Sequence, residues 1–273
     1  MTDIQTWIES YWPISLELRR IENRVNASQE LSEKEQEAEF IAAYEEYHNY
    51  LENKYGADVF KRWLALGSRH IKKMTDASYD EVNSYTFSSN LIVEAPADTV
   101  LRSRTTLQSI LEILSARKEF TLLDAGCGEG RIAAGIALYN PEAEVTALDK
   151  NAEALGFLAR FVRSRSPQEQ QILKKNLLMH KADYRTPKKM PAYDVVLAAY
   201  PYENPERITH YCLPFLKDDG SLFLYYPLTE RGPNNFSEIM SYLEETMGVT
   251  THLADRRAYF CNDEIIACEI KRR

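Results

Sequence analysis

Leu122-Leu123-Asp124-Ala125-Gly126-Cys127-Gly128-Glu129-Gly130 is the stretch that decides the architecture of this 273-residue chain. Residues 120–123 are apolar, as in a buried strand. Residues 131–139 place Ile132, Ala133, Ile136 and Ala137 on one face of a helix that Asn140-Pro141 stops. Between strand and helix, glycines at alternate positions let the backbone turn sharply and lie against a ligand with no Cβ in the way. This order is that of a nucleotide-cofactor pocket. The spacing excludes two well-known relatives: a dinucleotide fingerprint has its last two glycines three apart, and a P-loop requires Gly-Lys followed by Ser or Thr.

The chain then repeats strand and helix. Residues 144–148 form a second strand ending in Asp149, 25 residues after Asp124, the place of a ribose-binding acid. Helical segments follow at 152–163 and from 167 to about 177, and a short run leads into Ala182-Asp183-Tyr184. Residues 195–199, Val-Val-Leu-Ala-Ala, read as a strand buried on both faces, which is what a parallel sheet requires. Beyond them come a helix before residue 216, a turn at Asp218-Asp219-Gly220, a strand at 221–226, an amphipathic helix at 236–247 carrying Ile239, Met240, Leu243 and Met247, and closing strands at 249–253 and 265–270 joined by 254–264.

With D-A-G-C-G-E-G after an apolar strand and this succession of elements, residues 97–273 resemble the class I S-adenosylmethionine-dependent methyltransferases. The resemblance implies an α/β fold, a doubly wound, mostly parallel seven-stranded sheet with an antiparallel C-terminal hairpin, and S-adenosyl-L-methionine as cofactor. It implies that Asp124, Gly126, Cys127, Gly128 and Gly130 surround the methionyl end, whose carboxylate suits N–H groups at a helix start. Asp149 with Lys150 would meet the ribose, and Asp183 with Tyr184 the adenine; the bland alternative for Asp183 is a strand-end residue capping its turn. The place of chemistry in this family is the end of the fourth strand, here Ala199-Tyr200-Pro201-Tyr202-Glu203-Asn204-Pro205. Members that methylate adenine or glutamine amides carry Asn or Asp, then Pro-Pro and an aromatic residue. This chain keeps Pro201 and Tyr202 but has Ala199 and Tyr200 in the leading places, which argues against a planar amide acceptor.

What remains there is aromatic and acidic. Tyr200, Tyr202 and Glu203 are the candidate catalytic residues: tyrosine faces hold a sulfonium or ammonium cation, and Glu203 can accept a proton. Tyr225 and Tyr226 end the next strand and read equally well as packing residues. The expected acceptor is a small amine- or amino-acid-like nucleophile. Attack on the methyl carbon asks the protein mainly for positioning, so few obligatory residues exist to be read. Three other functions stay open: transfer or cyclisation of the aminobutyrate arm, as in nicotianamine-synthase-like enzymes; ribosomal RNA methylation; and a non-catalytic partner that only binds the cofactor.

Residues 1–96 read as a helical cap or lid. Ser32-x-x-Glu35 is a capping box, and Phe40, Tyr44, Tyr47, Leu51 and Tyr55 recur at helical spacing, as do Val59, Phe60, Trp63, Leu64 and Ile71. Residues 85–90 read as a linker, of the kind that crosses the cofactor mouth in this family, before a helix at 97–115, whose Arg102 and Arg104 could meet a carboxylate. Residues 1–60 hold 13 acids against 5 bases, a net of −8 that equals the whole-chain charge, so the remainder is neutral. Nucleic acid is disfavoured by this balance, because phosphate-backbone binders present a basic face. The basic clusters at 69–73, 188–189 and 271–273 read as solvated faces or a chain end.

Cys127, Cys212, Cys261 and Cys268 form no C-x-x-C pair and the five histidines show no ligand spacing, so no metal site is expected. Without a secretory pattern or an apolar run approaching ~20 residues, the expectation is a cytoplasmic protein with no membrane partner. Its oligomeric state is open.

Overall fold

In the computed structural model, residues 3–28, 31–73, 76–89, 97–186, 190–200, 204–228, 236–260 and 263–273 are described. They divide into two compact units, one of residues 1–104 with 259–262, the other of 105–258 with 263–273.

The first unit is helical: α1 (Ile4–Tyr11), α2 (Leu16–Ala27), α3 (Glu33–Tyr55), α4 (Ala57–Lys73), α5 (Asp76–Ser88) and the start of α6 (Ala97–Leu114). α1 stops before Pro13, whose ring disfavours helical backbone in the residue ahead of it. The Ser32–Glu35 capping box opens α3, and α2, α3, α4 and α5 pack consecutively. The aromatic stripe of α3 is only partly core. Ala43, Tyr47 and Leu51 are buried, whereas Phe40 is exposed, because the buried row runs at four-residue steps and leaves position 40 to one side. The predicted linker at 85–90 is corrected here: α5 continues through Ser88, with Ser88 and Ser89 hydroxyls both donating to the Tyr85 carbonyl.

The second unit is built on seven strands: β1 (Thr121–Ala125), β2 (Glu144–Asp149), β3 (Leu177–Lys181), β4 (Tyr193–Ala199), β5 (Leu216–Leu228), β6 (Val249–Phe260) and β7 (Asp263–Arg272). Their order across the sheet is β3-β2-β1-β4-β5-β7-β6. β1 pairs in parallel with both β2 and β4, β2 with β3 and β4 with β5, while β7 runs antiparallel to β5. Leu122, Leu123, Val195, Val196, Leu197 and Ala198 are all buried, as central strands covered on both faces must be. Between the strands run α7 (Arg131–Tyr139), α8 (Ala152–Ser164), α9 (Pro167–Asn176), α10 (Pro205–Cys212) and α11 (Phe236–Met247).

Two differences from the sequence reading concern β5 and the hairpin. Asp218-Asp219-Gly220 lies inside β5, because pairing jumps from Tyr193↔Leu216 to Val195↔Ser221 and the residues between bulge out. A Cβ at Gly220 would stand 3.0 Å from the Asp194 carbonyl oxygen, so the bulge needs glycine there. Opposite it, Asp194 ties three strands together. Its Oδ2 accepts from the Thr121 N–H and hydroxyl, both at 2.8 Å, and its Oδ1 from Lys217 Nζ at 2.9 Å. The closing hairpin is longer than expected, since most of the segment read as a connection belongs to β6.

The chain leaves β1 for β2 and β3 on one side, then crosses to β4 and β5 on the other. The carboxyl ends of β1 and β4 therefore flank the switch point at which α/β sheets take ligands.

Candidate active site

The turn after β1 is pinned by backbone. Gly126 and Cys127 N–H both donate to the Leu148 carbonyl, at 2.8 and 2.9 Å, and Gly128 N–H donates to Asp149 Oδ2 at 2.8 Å. Gly126, Gly128 and Gly130 have φ of 79°, 54° and 69°, left-handed values that L side chains avoid. A Cβ on Gly126 would come 3.2 Å from the Tyr184 ring, and one on Gly130 would overlap the Leu158 side chain. Leu148 and Asp149 thus hold the loop against the end of β2.

Three acids meet at this turn. Asp124 is 2% exposed, and its Oδ2 makes no hydrogen bond among the described residues. The Asp124 carboxyl reaches the backbone of Ala133 in the first turn of α7, yet burial, aided by Asp149, pushes it up to about 7. Glu129 is pushed by burial to about 7 as well, against the pull of Arg131, whose Nε lies 3.3 Å from Oε2 without forming a hydrogen bond. The Arg131 guanidinium lies over the rings of Phe157 and Phe161 on α8, at 5.5 and 5.2 Å. Asp149 is engaged at both oxygens, Oδ1 accepting from Asn151 N–H at 2.8 Å. Burial drives the Cys127 thiol well above its ordinary range, so it is no thiolate.

After β3, burial alone would raise the Asp183 carboxyl, but Arg185 and then Lys150 outweigh it and hold it low. Arg185 donates from Nε and Nη2 to the two carboxylate oxygens. Lys150 is thus near Asp183, and Tyr184 crosses Gly126 with its ring 6.4 Å from Tyr211 of α10. The structure brings Asp124, Gly126, Cys127, Gly128, Gly130, Asp149, Lys150, Asp183 and Tyr184 around the carboxyl ends of β1, β2 and β3.

At the end of β4, Tyr200 is the one non-glycine residue with positive φ among the described residues, at 57°. Its N–H donates to the Tyr225 carbonyl at 2.9 Å, and its hydroxyl is hydrogen-bonded to that of Thr106 on α6. One turn further along α6, Ser109 meets the Tyr225 hydroxyl at 3.0 Å and donates to Asp255 Oδ2 of β6 at 2.5 Å. Arg257 in turn bridges Asp255 and Glu112. Tyr225 is fully buried, and burial raises its hydroxyl far above the usual phenol range, so it remains a neutral structural group. Tyr202 and Glu203 lie outside the described residues. Asn204, just after them, caps α10 by accepting the Arg207 N–H at 2.9 Å, with Pro205 at the first helical position.

Thr106, Ser109 and Glu129 were not singled out in the sequence. The signal for the first two was present: they sit three residues apart among Leu107, Ile110 and Leu111, polar side chains inside an apolar stripe. Arg104 requires a correction. Its guanidinium is buried and paired with Glu9 at 2.8 Å in the first unit, so it is already committed to an internal carboxylate. A groove of about 540 Å³ lined by Glu206, Arg207, His210, Tyr211, Leu213, Thr246 and Met247 contains none of the loop residues. Among the described residues, no helix is long and apolar enough to cross a membrane.

A glycine turn clamped by two strand ends at the switch point of a 3-2-1-4-5-7-6 sheet defines the class I, Rossmann-like methyltransferases. The model of the methyltransferase small domain matches residues 105–259, and the chain belongs to that family; its cofactor is S-adenosylmethionine. No curated protein sequence matches the chain. Among solved structures it is similar to precorrin-6y C5,15-methyltransferase from Geobacter metallireducens (15% identity, 62% of this chain and 89% of that one, TM-score 0.47). It is also similar to magnesium protoporphyrin IX methyltransferase from Synechocystis (19%, 64% and 82%, 0.47) and to YcgJ from Bacillus subtilis (15%, 62% and 99%, 0.49).

The residues fit this cofactor. The glycine turn leaves a cradle that a Cβ at Gly126 would narrow toward Tyr184, and Asp124 Oδ2 is a buried acceptor to which a cationic ligand can donate. When bound, S-adenosylmethionine supplies a methyl group already activated on a sulfonium.

Proposed function

We propose that this chain transfers the methyl group of S-adenosylmethionine to a small amine- or amino-acid-like nucleophile. Gly126, Cys127, Gly128 and Gly130 surround the methionyl end with Asp124 beneath, Asp149 and Lys150 take the ribose, and Asp183 with Tyr184 the adenine. The two Asp149 oxygens accept the Gly128 and Asn151 N–H groups, which fixes the carboxylate at the end of β2 where the ribose is proposed to lie. On the acceptor side, Tyr200 and Tyr202 orient the nucleophile against the sulfonium, and Glu203 takes its proton.

The observation that carries this reading is Tyr200. A left-handed tyrosine at the end of β4 costs about 1–2 kcal/mol of backbone strain, and such strain collects where a side chain must be aimed. The protein itself contributes alignment and exclusion of water.

The test is mass spectrometry of products formed from cell extract, the purified chain and S-adenosylmethionine labelled in its methyl group. A labelled small molecule together with S-adenosylhomocysteine is expected. Formation of 5′-methylthioadenosine would show that the aminobutyrate arm moves and would overturn methyl transfer. Label in RNA would overturn the small acceptor.

A further inference from the structure

We propose that the outer edge of β3 is a docking surface for another protein, which adds an acidic, extended segment to the sheet as a further strand.

β3 (Leu177–Lys181) is the terminal strand of the sheet, paired in parallel with β2 along its whole length and with no strand on its other side among the described residues. Alternate N–H and C=O groups of such a strand point away from its one neighbour, a template for another chain. The template is already ordered. The buried Asn176 side chain, just before the strand, donates to the Pro141 carbonyl, and the Ala182 N–H just after it donates to the Asp149 carbonyl at 3.1 Å. A segment that docks there meets a strand that has little conformational freedom left to lose.

Sheet edges are ordinarily guarded by a charge or proline within the strand, or by a bulge. The centre of β3 has none of these. Leu178 and Met179, on opposite faces of the sheet, are 60% and 39% exposed. The charges stand at the two ends instead: Lys174 and Lys175 before the strand and Lys181 as its last residue, all exposed. No acid lies between Glu169 and Asp183, and those two are held by Arg165 and Arg185. The edge thus offers two apolar side chains between two patches of positive charge.

That arrangement selects the occupant. A second copy of β3, paired antiparallel across a two-fold axis, would bring two sets of these lysines onto one seam, where like charges oppose each other. An extended segment carrying Asp or Glu beside Val, Ile or Leu meets the lysines with opposite charge and covers Leu178 and Met179. Main-chain bonds of the added strand supply the remaining affinity.

The test titrates the full chain with a ten-residue peptide of alternating Glu and Val and follows amide hydrogen exchange. Exchange should slow within residues 177–181 and not along β6, the opposite edge of the sheet. Raising the salt from 50 to 300 mM, or replacing Lys174, Lys175 and Lys181 together by Glu, should each weaken binding by about tenfold or more. Leu178→Asp should also weaken it. The substituted side chains are all exposed, so thermal melts should match the wild type. A peptide of alternating Lys and Val should leave the wild type unprotected and bind the Lys174→Glu, Lys175→Glu, Lys181→Glu variant, a swap that a misfolded variant cannot produce. No slowing with the Glu–Val peptide, equal slowing with both peptides, or binding unchanged by Leu178→Asp and the charge reversals overturns the proposal. Slowing at 177–181 that grows with chain concentration in the absence of peptide makes a second copy the occupant and overturns it too. S-adenosylmethionine is absent throughout, so no outcome depends on the methyl transfer proposed above.

Discussion

Replacing Tyr200 by Phe asks whether one hydroxyl holds the strained end of β4. At φ 57° the residue stores about 1–2 kcal/mol, opposed in part by its N–H bond to Tyr225 and its hydroxyl bond to Thr106. Thr106 is 0% exposed, so losing the phenol leaves a buried hydroxyl without that partner. The expected cost is about 1–3 kcal/mol. Thr106→Val removes the other half and should cost a similar amount. In the double variant an apolar pair replaces a polar one, so it should be more stable than the sum of the singles by about 1 kcal/mol or more. Urea unfolding of the four proteins, compared through midpoints at constant slope, measures this coupling. Additivity within about 0.5 kcal/mol would refute the bond as the anchor. A second pair checks the backbone itself: Tyr200→Gly should be more stable than Tyr200→Ala by about 1 kcal/mol, the reverse of the usual order, because only glycine sits without strain at positive φ.

Other perturbations test the donor side and the scaffold. Gly130→Ala adds a methyl group that overlaps Leu158 at φ 69°; it should destabilise by about 2–4 kcal/mol in urea unfolding, and a loss below about 1 kcal/mol would contradict the close seating of the turn on Leu158. Asp149→Asn turns one of two acceptors into a donor facing a backbone N–H, so S-adenosylmethionine affinity measured by calorimetry should fall about 5- to 150-fold, corresponding to about 1–3 kcal/mol. Burial works to raise the Asp194 carboxyl, but Thr121 and Lys217 hold it below its ordinary value. A depressed carboxyl gives stability that is present above its unfolded value near 4 and lost as pH falls through the folded value. Acid unfolding of Asp194→Asn should therefore show a weaker loss of stability below pH 4 than the wild type; parallel curves would remove Asp194 from that role.

The donor half was legible in the sequence because it is local. Strand, turn and helix follow within twenty residues, and the glycines that Cβ sterics demand are visible as letters. Asp149 sits at the end of a strand whose apolar run announces it, whereas Asp183 follows only a short run, the largely exposed β3. The β5 bulge was read as a turn, since Asp-Asp-Gly has turn chemistry and only pairing across to Tyr193 and Val195 makes it part of a strand. The α6 hydroxyls were missed for the same physical reason. Thr106 meets Tyr200, 94 residues away, and Ser109 meets Tyr225, 116 residues away, so the apolar stripe marks the two hydroxyls as inward-facing but nothing local names their partners.

That contrast bears on how the site divides its work. On the proposed donor side the groups available are backbone N–H groups and carboxylates fixed by the turn itself, which suits a ligand of constant shape and charge. The proposed acceptor side is held differently: Tyr200 follows the end of β4, Tyr225 lies within the neighbouring β5, and both hydroxyls are anchored to one face of α6 by Thr106 and Ser109, with Ser109 tied onward to Asp255 of β6. A sideways shift or rotation of α6 would move both tyrosines together while leaving the glycine turn, clamped by Leu148 and Asp149, in place. Substitutions on the α6 face are therefore the ones expected to alter acceptor choice at constant cofactor affinity, whereas those in the turn should weaken the cofactor whatever the acceptor.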